Sequence, residues 1–395
     1  MIRRGQPLEF ALAAATRGID APADRALARA IASETLRRLP DLDALIDSAT
    51  RNRLADDAKA RMVIRIALVQ ALILKTPEHA AVSTALPLVE GGPRRLVHGV
   101  LGTLLRRKVT LPDTPALPGE VAVRWHEAWG GDMIEGAQAM IAEPPPVDLA
   151  LKDAATTDDW VEKLGGTSLA PGHVRLARGT AIHDLAGFGD GAWWVQNIAA
   201  SIPARLLGAG NGRRVLDLCA APGGKTMQLA AAGWDVTAID SDRARIVRLN
   251  DNLTRTRLTA KTIQADIMKW APEAPVDAVL LDAPCSATGI FARHPDVLHR
   301  VRPRDIAALA QIQSAMIAHV ARWLAPGGTL IYATCSLEPA EGEAQVAVAE
   351  AAGLIIDPIN TSDFLDGPAV HWQGWLRVLP RDHFDGFFIA RFKRE

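Results

Sequence analysis

Cysteine is scarce in this 395-residue sequence, which contains only Cys219, Cys285 and Cys335, and no CxxC pair is present. Three cysteines are too few for a disulfide framework and lack zinc-site spacing, so we expect free thiols and no bound metal. Long apolar runs are missing too, because even the richest segment, 63–74, carries Arg65. These absences predict a globular protein of the cytoplasm without a membrane segment.

A strong charge imbalance is also lacking, since the formal net charge is -1 at pH 7. Charge alone therefore does not indicate a nucleic-acid-binding protein. Aromatic residues make up 5% of the chain and include one tyrosine, so aromatic stacking surfaces are few. Hydrophobic residues reach 49%, which is enough for the two or three domains expected at this length.

Two changes of pattern divide the chain into three predicted domains. Residues 1–140 show only helical apolar spacing, which predicts an all-helical domain, and the run Glu143-Pro144-Pro145-Pro146 predicts a stiff connector. Short strands and one helix then predict a small α+β domain over 147–200. Its strands are expected at Val147–Leu151, His173–Leu176 and Ala181–Leu185.

Residues 201–395 alternate apolar strands with amphipathic helices. This alternation predicts an α/β domain with a mainly parallel sheet covered by helices on both faces. The five expected strands are Arg214–Leu218, Asp235–Ile239, Thr262–Gln264, Ala278–Leu281 and Thr329–Ala333.

A turn of small residues follows the first of these strands, which ends in Asp217. Ligands of open parallel sheets bind at the carboxyl ends of the strands, near the topological switch point. Asp240 and Asp266 are expected to end the next two strands, where acidic side chains bind ribose hydroxyls. The turn consists of Cys219, Ala220, Ala221, Pro222, Gly223, Gly224 and Lys225.

The composition of this turn favours one class of cofactor. The phosphate-binding GxGxxG pattern is absent, and Pro222 removes a backbone N–H that a pyrophosphate would use, so a nicotinamide cofactor is disfavoured. An adenosine that carries a sulfonium has hydroxyls and a positive charge but no phosphate. Such a cofactor suits a site lined by carboxylates.

Two cysteines follow the fourth and fifth strands, within Asp282-Ala283-Pro284-Cys285 and Thr334-Cys335-Ser336. Both thiols are therefore expected at the same edge of the sheet as the small-residue turn. A thiolate that adds to carbon 6 of cytosine makes carbon 5 nucleophilic enough to accept a methyl group. If protonated or hydrogen-bonded to the ring, Asp282 is placed to stabilise the charge that develops there, and Lys225 either lowers the pKa of a thiol or is an ordinary helix lysine.

The same strand-four turn argues against methylation of an exocyclic amine. That reaction typically uses an Asp/Asn-Pro-Pro-aromatic turn, whereas this chain has Asp282-Ala283-Pro284-Cys285. Carbon is therefore favoured over nitrogen as the methyl acceptor. The residues alone do not decide which thiol is the nucleophile, because DNA cytosine-C5 enzymes use the cysteine of a Pro-Cys turn, which here is Cys285.

With these motifs, the sequence resembles the bacterial RNA cytosine-C5 methyltransferases of the RsmB type, which act on 16S rRNA and carry a NusB-like N-terminal domain. The resemblance covers nearly the whole chain and implies a Rossmann-like class I methyltransferase domain that binds S-adenosylmethionine. The motifs that carry it are the run 215–226, the run 281–289, Arg293-His294-Pro295-Asp296 and Tyr332-Ala333-Thr334-Cys335-Ser336.

The resemblance also implies roles for particular residues. Cys335 would be the nucleophile, and Cys285 would assist release of the methylated product. The 219–225 turn would contact the cofactor together with Asp240, Asp266 and Asp282. The chain departs from the family after Asp296, where Val297-Leu298-His299-Arg300 replaces the usual basic and aromatic pair.

RNA contacts are predicted from basic residues at two places. Arg106 and Arg107 end a helix of the N-terminal domain and could meet phosphates, although a solvated helix face is an equal alternative. Arg293 and His294 follow the catalytic turn and are candidates for substrate contact.

Other functions remain open from the sequence alone. The same chemistry on tRNA or another RNA is one alternative, and a non-catalytic RNA-binding or ribosome assembly factor is another. We expect a monomer, because one chain supplies every residue that the proposed site requires.

Overall fold

The computed structural model describes residues 5–143, 145–359 and 370–395. Contacts group these residues into two units. The first contains the chain up to Glu143 together with Arg293–Arg300, and the second contains the remainder up to Ala292 together with Val301–Glu395. Pro144, in the predicted connector, lies outside the described residues, within which no helix has the length and apolarity to cross a membrane.

The first unit is helical, as the sequence predicts for residues 1–140. A π-helical turn, Val69–Ile73, directly continues the fourth helix, Lys59–Leu68, so that residues 59–73 form one nearly continuous helix. The helices of its N-terminal part are α1 (Leu8–Ala15), α2 (Pro22–Arg37), α3 (Leu39–Ser48), α4 (Lys59–Leu68), α5 (Glu78–Ala85), α6 (Gly91–Arg106), α7 (Gly119–Trp129) and α8 (Gly131–Ala142).

Buried apolar residues of α3, α4 and α6 form the core of this unit, with Ile64 and Leu68 one helical turn apart on α4. Arg61 is buried on the same helix, and Arg65 is nearly so. Asp43 of α3 accepts hydrogen bonds from Nε of both arginines, at 3.0 and 2.7 Å. These ion pairs explain how a helix of the apolar core tolerates two buried guanidinium groups.

A three-stranded antiparallel sheet begins the second unit, in the order β2 (His173–Leu176), β1 (Val147–Leu151), β3 (Trp193–Val195). Helix α9 (Thr157–Leu164) connects β1 to β2. The strand predicted at Ala181–Leu185 is wrong, because Ile182–Asp184 forms a single 3-10 turn. The third strand is instead Trp193–Val195, whose two indoles bury far more apolar surface than that segment offers.

A sheet of nine strands within the described residues forms the body of this unit. Its strands are β4 (Arg214–Leu218), β5 (Asp235–Asp240), β6 (Lys261–Gln264), β7 (Val276–Asp282), β8 (Leu324–Thr334), β9 (Leu354–Ile356), β10 (Val370–Trp372), β11 (Leu376–Val378) and β12 (Phe387–Arg394). The remaining helices are α10 (Ile198–Arg205), α11 (Gly224–Ala231), α12 (Arg243–Thr256), α13 (Val297–Arg300, in the first unit), α14 (Pro303–Val320) and α15 (Ala344–Ala351).

The strand order is β10-β11-β12-β8-β7-β4-β5-β6, with β9 paired to β12. Strands β6, β5, β4, β7 and β8 are parallel, and the strands beyond β8 continue the sheet in antiparallel fashion. The chain runs outward from β4 to β6 and then returns to β7 on the other side of β4. The topological switch point therefore lies between β4 and β7, as the α/β prediction requires.

Alternate residues of each central strand enter two different cores, which is why these strands are apolar throughout. Leu216 and Leu281 pack in one core with Ile317 of α14, whereas Val215 and Leu280 pack in the other. Helices thus cover both faces of the sheet, and its carboxyl edge is left to bind ligands.

Candidate active site

The small-residue turn after β4 has the backbone shape that its sequence predicts. Gly223 has φ +103° and precedes α11, and Cys219 has φ +58°. A Cβ atom on Gly223 would lie 3.0 Å from the side chain of Leu249, and one on Gly224 would lie 3.3 Å from that of Gln196. The two glycines therefore permit both the turn and the close packing beneath it.

Asp240 is fixed at the end of β5 beside this turn. Its carboxylate accepts hydrogen bonds from the N–H groups of Ala221 at 3.2 Å and Asp242 at 3.0 Å. The guanidinium of Arg245 lies 3.4 Å from Oδ2 of Asp240 and also donates to the carbonyl of Ala221. The turn and the end of β5 are thus held together by one buried carboxylate.

Asp217 lies under the turn, fully buried in β4. Thr226 donates its hydroxyl to Oδ2 of Asp217 at 2.5 Å, while Oδ1 has no hydrogen-bond partner among the described residues. Burial raises the pKa of Asp217 to about 7, although the Thr226 bond and the charge of Lys225 oppose the shift. Burial, reinforced by nearby carboxylates, likewise raises the pKa of Cys219 to about 12.

Lys225 connects the turn to the end of β7. Its Nζ donates to Oδ2 of Asp282 at 2.7 Å. Burial alone would lower the pKa of Lys225, but the negative charge and hydrogen bond of Asp282 reverse the effect and raise it. Lys225 is therefore an ion-pair partner of Asp282, and Asp282 keeps part of its carboxylate exposed.

The two cysteines meet at the carboxyl ends of the adjacent strands β7 and β8. Sγ of Cys285 lies 3.5 Å from Sγ of Cys335, and both side chains are partly exposed. The hydrogen bond to Cys335, followed by burial, raises the pKa of Cys285 well above its ordinary value.

A buried carboxylate that the sequence analysis missed lies behind these thiols. Glu341 is 0% exposed and accepts hydrogen bonds from Ser286, Ser336 and Gln313. Burial raises the pKa of Glu341, and the bonds from the two serines oppose that shift. Because Ser286 follows Cys285 and Ser336 follows Cys335, Glu341 joins the two cysteine turns.

Other backbone contacts hold the same turns. Arg377 of β11 is buried, donates to the carbonyl of Ser336 and pairs with Glu343 at 2.8 Å. Gly289 donates its N–H to the carbonyl of Cys335 at 2.9 Å and accepts from Gly386 at 2.9 Å. A Cβ atom on Gly289 would lie 2.0 Å from the carbonyl oxygen of Gly386, so only glycine fits there.

One signal for the missed residues was present in the sequence. Gln313 occupies the buried stripe of α14 defined by Ile306, Ile317 and Val320, where a polar residue needs a partner. The search for that partner leads to Glu341. No comparable pattern marks Arg377, because its strand is only three residues long.

The remaining predicted residues lie in different surroundings. Asp266 is two residues beyond the end of β6 and half exposed, and its carboxylate accepts from the N–H of Met268. Arg106 and Arg107 are exposed at the end of α6. Arg293 and His294 belong to the helical unit and are partly buried, and burial lowers the pKa of His294.

Comparison with known proteins gives one match in the helical unit and one in the unit that contains the nine-stranded sheet. Residues 204–393 match the family model of the 16S rRNA methyltransferases RsmB/F, and residues 3–106 match that of the NusB family. The chain is 34% identical to ribosomal RNA small subunit methyltransferase B of Klebsiella pneumoniae subsp. pneumoniae, over 93% of this chain and 90% of the relative. It is 32% identical to the protein of that name from Erwinia tasmaniensis, over 100% and 96%.

A solved structure shares the fold. A methyltransferase homolog protein from Pyrococcus horikoshii superposes with a TM-score of 0.59 at 23% identity, covering 74% of this chain and 98% of that one. The matches to the relatives span almost the full length of both chains. The chain therefore belongs to the RsmB/F family of 16S rRNA methyltransferases and carries a NusB-family domain.

Proposed function

We propose that this protein transfers a methyl group from S-adenosylmethionine to carbon 5 of a cytosine in 16S rRNA, through an adduct between Cys335 and carbon 6 of the base. The observation that carries the proposal is the pair of thiols, 3.5 Å apart at the ends of β7 and β8. Methylation of an oxygen or an exocyclic nitrogen needs no thiol. Methylation of carbon 5 does, because that atom is a poor nucleophile until carbon 6 is attacked.

The residues around the β4 turn fit S-adenosylmethionine. Two backbone N–H groups hold Asp240 in place, and its carboxylate can accept hydrogen bonds from ribose hydroxyls. Pro222 has no N–H that could bind a phosphate. The carboxyls of Asp217 and Asp282 lie at the ends of neighbouring strands. Bound S-adenosylmethionine supplies an electrophilic methyl group on a positively charged sulfur, which these carboxyls favour.

The assignment of Cys335 as nucleophile is supported by the contact between its Sγ and that of Cys285. Cys285 has a pKa raised well above its ordinary value, chiefly by its hydrogen bond to Cys335. A thiol that holds its proton this strongly suits Cys285 to assisting release of the product rather than to attack on carbon 6. The family resemblance points the same way.

Asp282 and Lys225 stabilise the charge that develops on the cytosine ring. The ion pair at 2.7 Å fixes Asp282 at the end of β7, where its exposed oxygen can accept a hydrogen bond from the exocyclic amine of the base while N3 takes up a proton. After methyl transfer a base removes the proton from carbon 5. The electron pair left behind forms the carbon 5–carbon 6 double bond and expels Cys335 as thiolate, and Cys285 is the group within reach to assist this step.

RNA binding is assigned to the exposed basic end of α6, where Arg106 and Arg107 would meet phosphates. Arg293 and His294, which follow the catalytic turn in the chain, are also proposed to contact the RNA. We also expect a cytoplasmic monomer, because the thiols, Asp282 and the cofactor turn all come from one chain.

The test uses the purified protein, S-adenosylmethionine and 16S rRNA that lacks its own modifications. We expect Cys335→Ala to abolish both methyl transfer and the covalent protein–RNA complex on a denaturing gel. Cys285→Ala should accumulate that complex, because release is impaired. The matched thiol control is Cys219→Ala, which keeps both reacting cysteines and should still form the complex at saturating cofactor.

Three outcomes would change the assignment. A complex that depends on Cys285 would exchange the roles of the thiols. A methyl group found on tRNA but not on 16S rRNA would change the substrate. No transfer to any RNA would favour a non-catalytic assembly factor.

A further inference from the structure

A single buried carboxylate connects the two cysteine turns. Oε2 of Glu341 accepts from the hydroxyls of Ser286 and Ser336, both at 2.5 Å, and Oε1 accepts from the N–H of Ser286 at 2.9 Å. Gln313 donates to Oε1 at 3.1 Å and to the carbonyl of Pro284 at 2.9 Å. Four donors therefore converge on one side chain, and three of them belong to the residues that follow the two cysteines.

No cation balances this carboxylate among the described residues, where its hydrogen-bonding partners are two serines and a glutamine. Burying a charged group in this way costs free energy unless the hydrogen bonds have excellent geometry. A plain packing role would be served by an apolar side chain at lower cost. We call Glu341 and its three partners, Ser286, Ser336 and Gln313, the clamp. Its geometry depends on all four hydrogen bonds.

We infer that Glu341 is a positioning residue that sets the distance between Cys285 and Cys335. This inference rests on the proposed function, since that function needs both thiols at one base. Through Ser286 it fixes the turn after β7, and through Ser336 it fixes the turn after β8. When the clamp is lost, the thiols separate and the step that needs both of them, release of the adduct, slows more than the first attack.

The effect of Glu341 on the distance between the thiols can be tested without RNA or cofactor, from the rate at which the two thiols form a disulfide. Diamide, a diazene dicarboxamide, takes two electrons and two protons from the thiols of Cys285 and Cys335, is reduced to the hydrazine and leaves one bond between the sulfurs. The rate at which this disulfide forms is followed by mass spectrometry and divided by the rate at which iodoacetamide alkylates Cys285 and Cys335 together in the same variant. The quotient corrects for any change in thiolate content.

The full-length Glu341→Ala protein should show a quotient about tenfold or more below that of wild type, as expected from the loss of hydrogen bonds to a charged group. Glu341→Gln should restore most of it, because an amide can accept from Ser286 N–H and donate to the two hydroxyls. Glu350→Ala, at an exposed position of α15, is the surface control and should match wild type. An unchanged quotient in Glu341→Ala would overturn the inference.

If Glu341→Ala does not fold, Ser336→Ala decides the matter. It keeps Glu341 and the Cys285 turn but removes the hydroxyl bond to the Cys335 turn, so the quotient should fall about threefold to tenfold. A wild-type quotient in this variant would equally overturn the inference. With 16S rRNA, Glu341→Ala should also accumulate adduct relative to methylated product.

The two proposals fail separately. If wild type transfers no methyl group but the quotient falls in Glu341→Ala, the proposed function is wrong and the clamp stands. If methyl transfer occurs as proposed and the quotient does not change, the clamp is wrong and the function stands.

Discussion

Two buried aspartates of the second unit, Asp148 and Asp217, differ in their charge although both are almost completely enclosed. Asp148 in β1 accepts from Arg175 at 2.7 Å and from Asn197 at 2.8 Å, and His173 lies 3.3 Å away. Burial alone would raise the pKa of Asp148, but the bonds to His173 and Arg175 lower it to about 2.

Asp217 is equally buried, and burial raises its pKa to about 7, because the single hydroxyl bond from Thr226 and the nearby charge of Lys225 do not offset it. The comparison shows that burial does not fix the charge of a carboxyl group; the number and charge of its donors do. Asp148 holds backbone elements together with a permanent charge. Asp217 lies where the cofactor's positive sulfur is proposed to bind, and it can change its charge.

The largest expected effect on the free energy of unfolding comes from removing the permanent charge of Asp148. Asp148→Ala should lower the free energy of unfolding by about 3–5 kcal/mol, because Arg175 loses the buried carboxylate with which it is paired. Urea unfolding followed by circular dichroism measures this. Asp159→Ala, at an exposed position of α9, should stay within about 0.5 kcal/mol of wild type. A loss below about 1 kcal/mol at Asp148 would break the comparison.

The next largest effect is the pH dependence of stability that arises from Asp217, whose charge can change. The native pKa of Asp217, about 7, lies above its ordinary value of 3.8, so the folded state binds the proton more tightly. Stability from this group is therefore complete at low pH and declines as pH rises from about 4 to about 7. Between about pH 5 and about pH 8 the loss should be about 2–3 kcal/mol.

Asp217→Asn removes this group's titration, so the difference in unfolding free energy between those two pH values should shrink by about that amount. Urea unfolding at both pH values measures it. Asp235→Asn, at the exposed start of β5, provides the control with unchanged pH dependence. If Asp217→Asn keeps the wild-type pH dependence, Asp217 is already charged at low pH and does not differ from Asp148.

The smallest effect concerns an ion pair of similar length on the surface. Arg53 donates to Asp56 at 2.8 Å, with side chains 66% and 67% exposed. Arg53→Ala should cost less than about 1 kcal/mol in unfolding free energy, because water screens the pair. High salt should reduce the cost further. A cost equal to that of Asp148→Ala would mean that bond length rather than burial sets the energy.

The sequence predicted the positions of the chemical groups well because strand ends are easy to recognise. Apolar runs located β4, β5, β7 and β8, and the residues that follow parallel strands must meet at one edge. Asp240, Asp282, Cys285 and Cys335 were found in this way. The antiparallel strands β10 and β11 were not predicted, since three-residue strands carry too little periodicity.

The support of the site was much harder to predict than its reacting groups. Glu341 ends the short 3-10 turn Pro339–Glu341, and its role depends on Ser286 and Gln313, which are 55 and 28 residues away in the chain. Pairing across such distances is set by tertiary packing, which local patterns do not contain. The prediction of a strand at Ala181–Leu185 was wrong for the same reason, because the segment that pairs with the edge of β1 is Trp193–Val195.

Segment Arg293–Arg300 has a consequence for recombining family members. It follows the catalytic turn in the chain but belongs to the helical unit, where Asp296 accepts from the N–H of Leu8 at 3.2 Å and His299 bonds the carbonyl of Leu36 at 2.7 Å. A chimera joined near residue 144 alone would combine these eight residues with a foreign helical unit. The exchangeable module is thus discontinuous, and a functional graft must carry both pieces from the same parent.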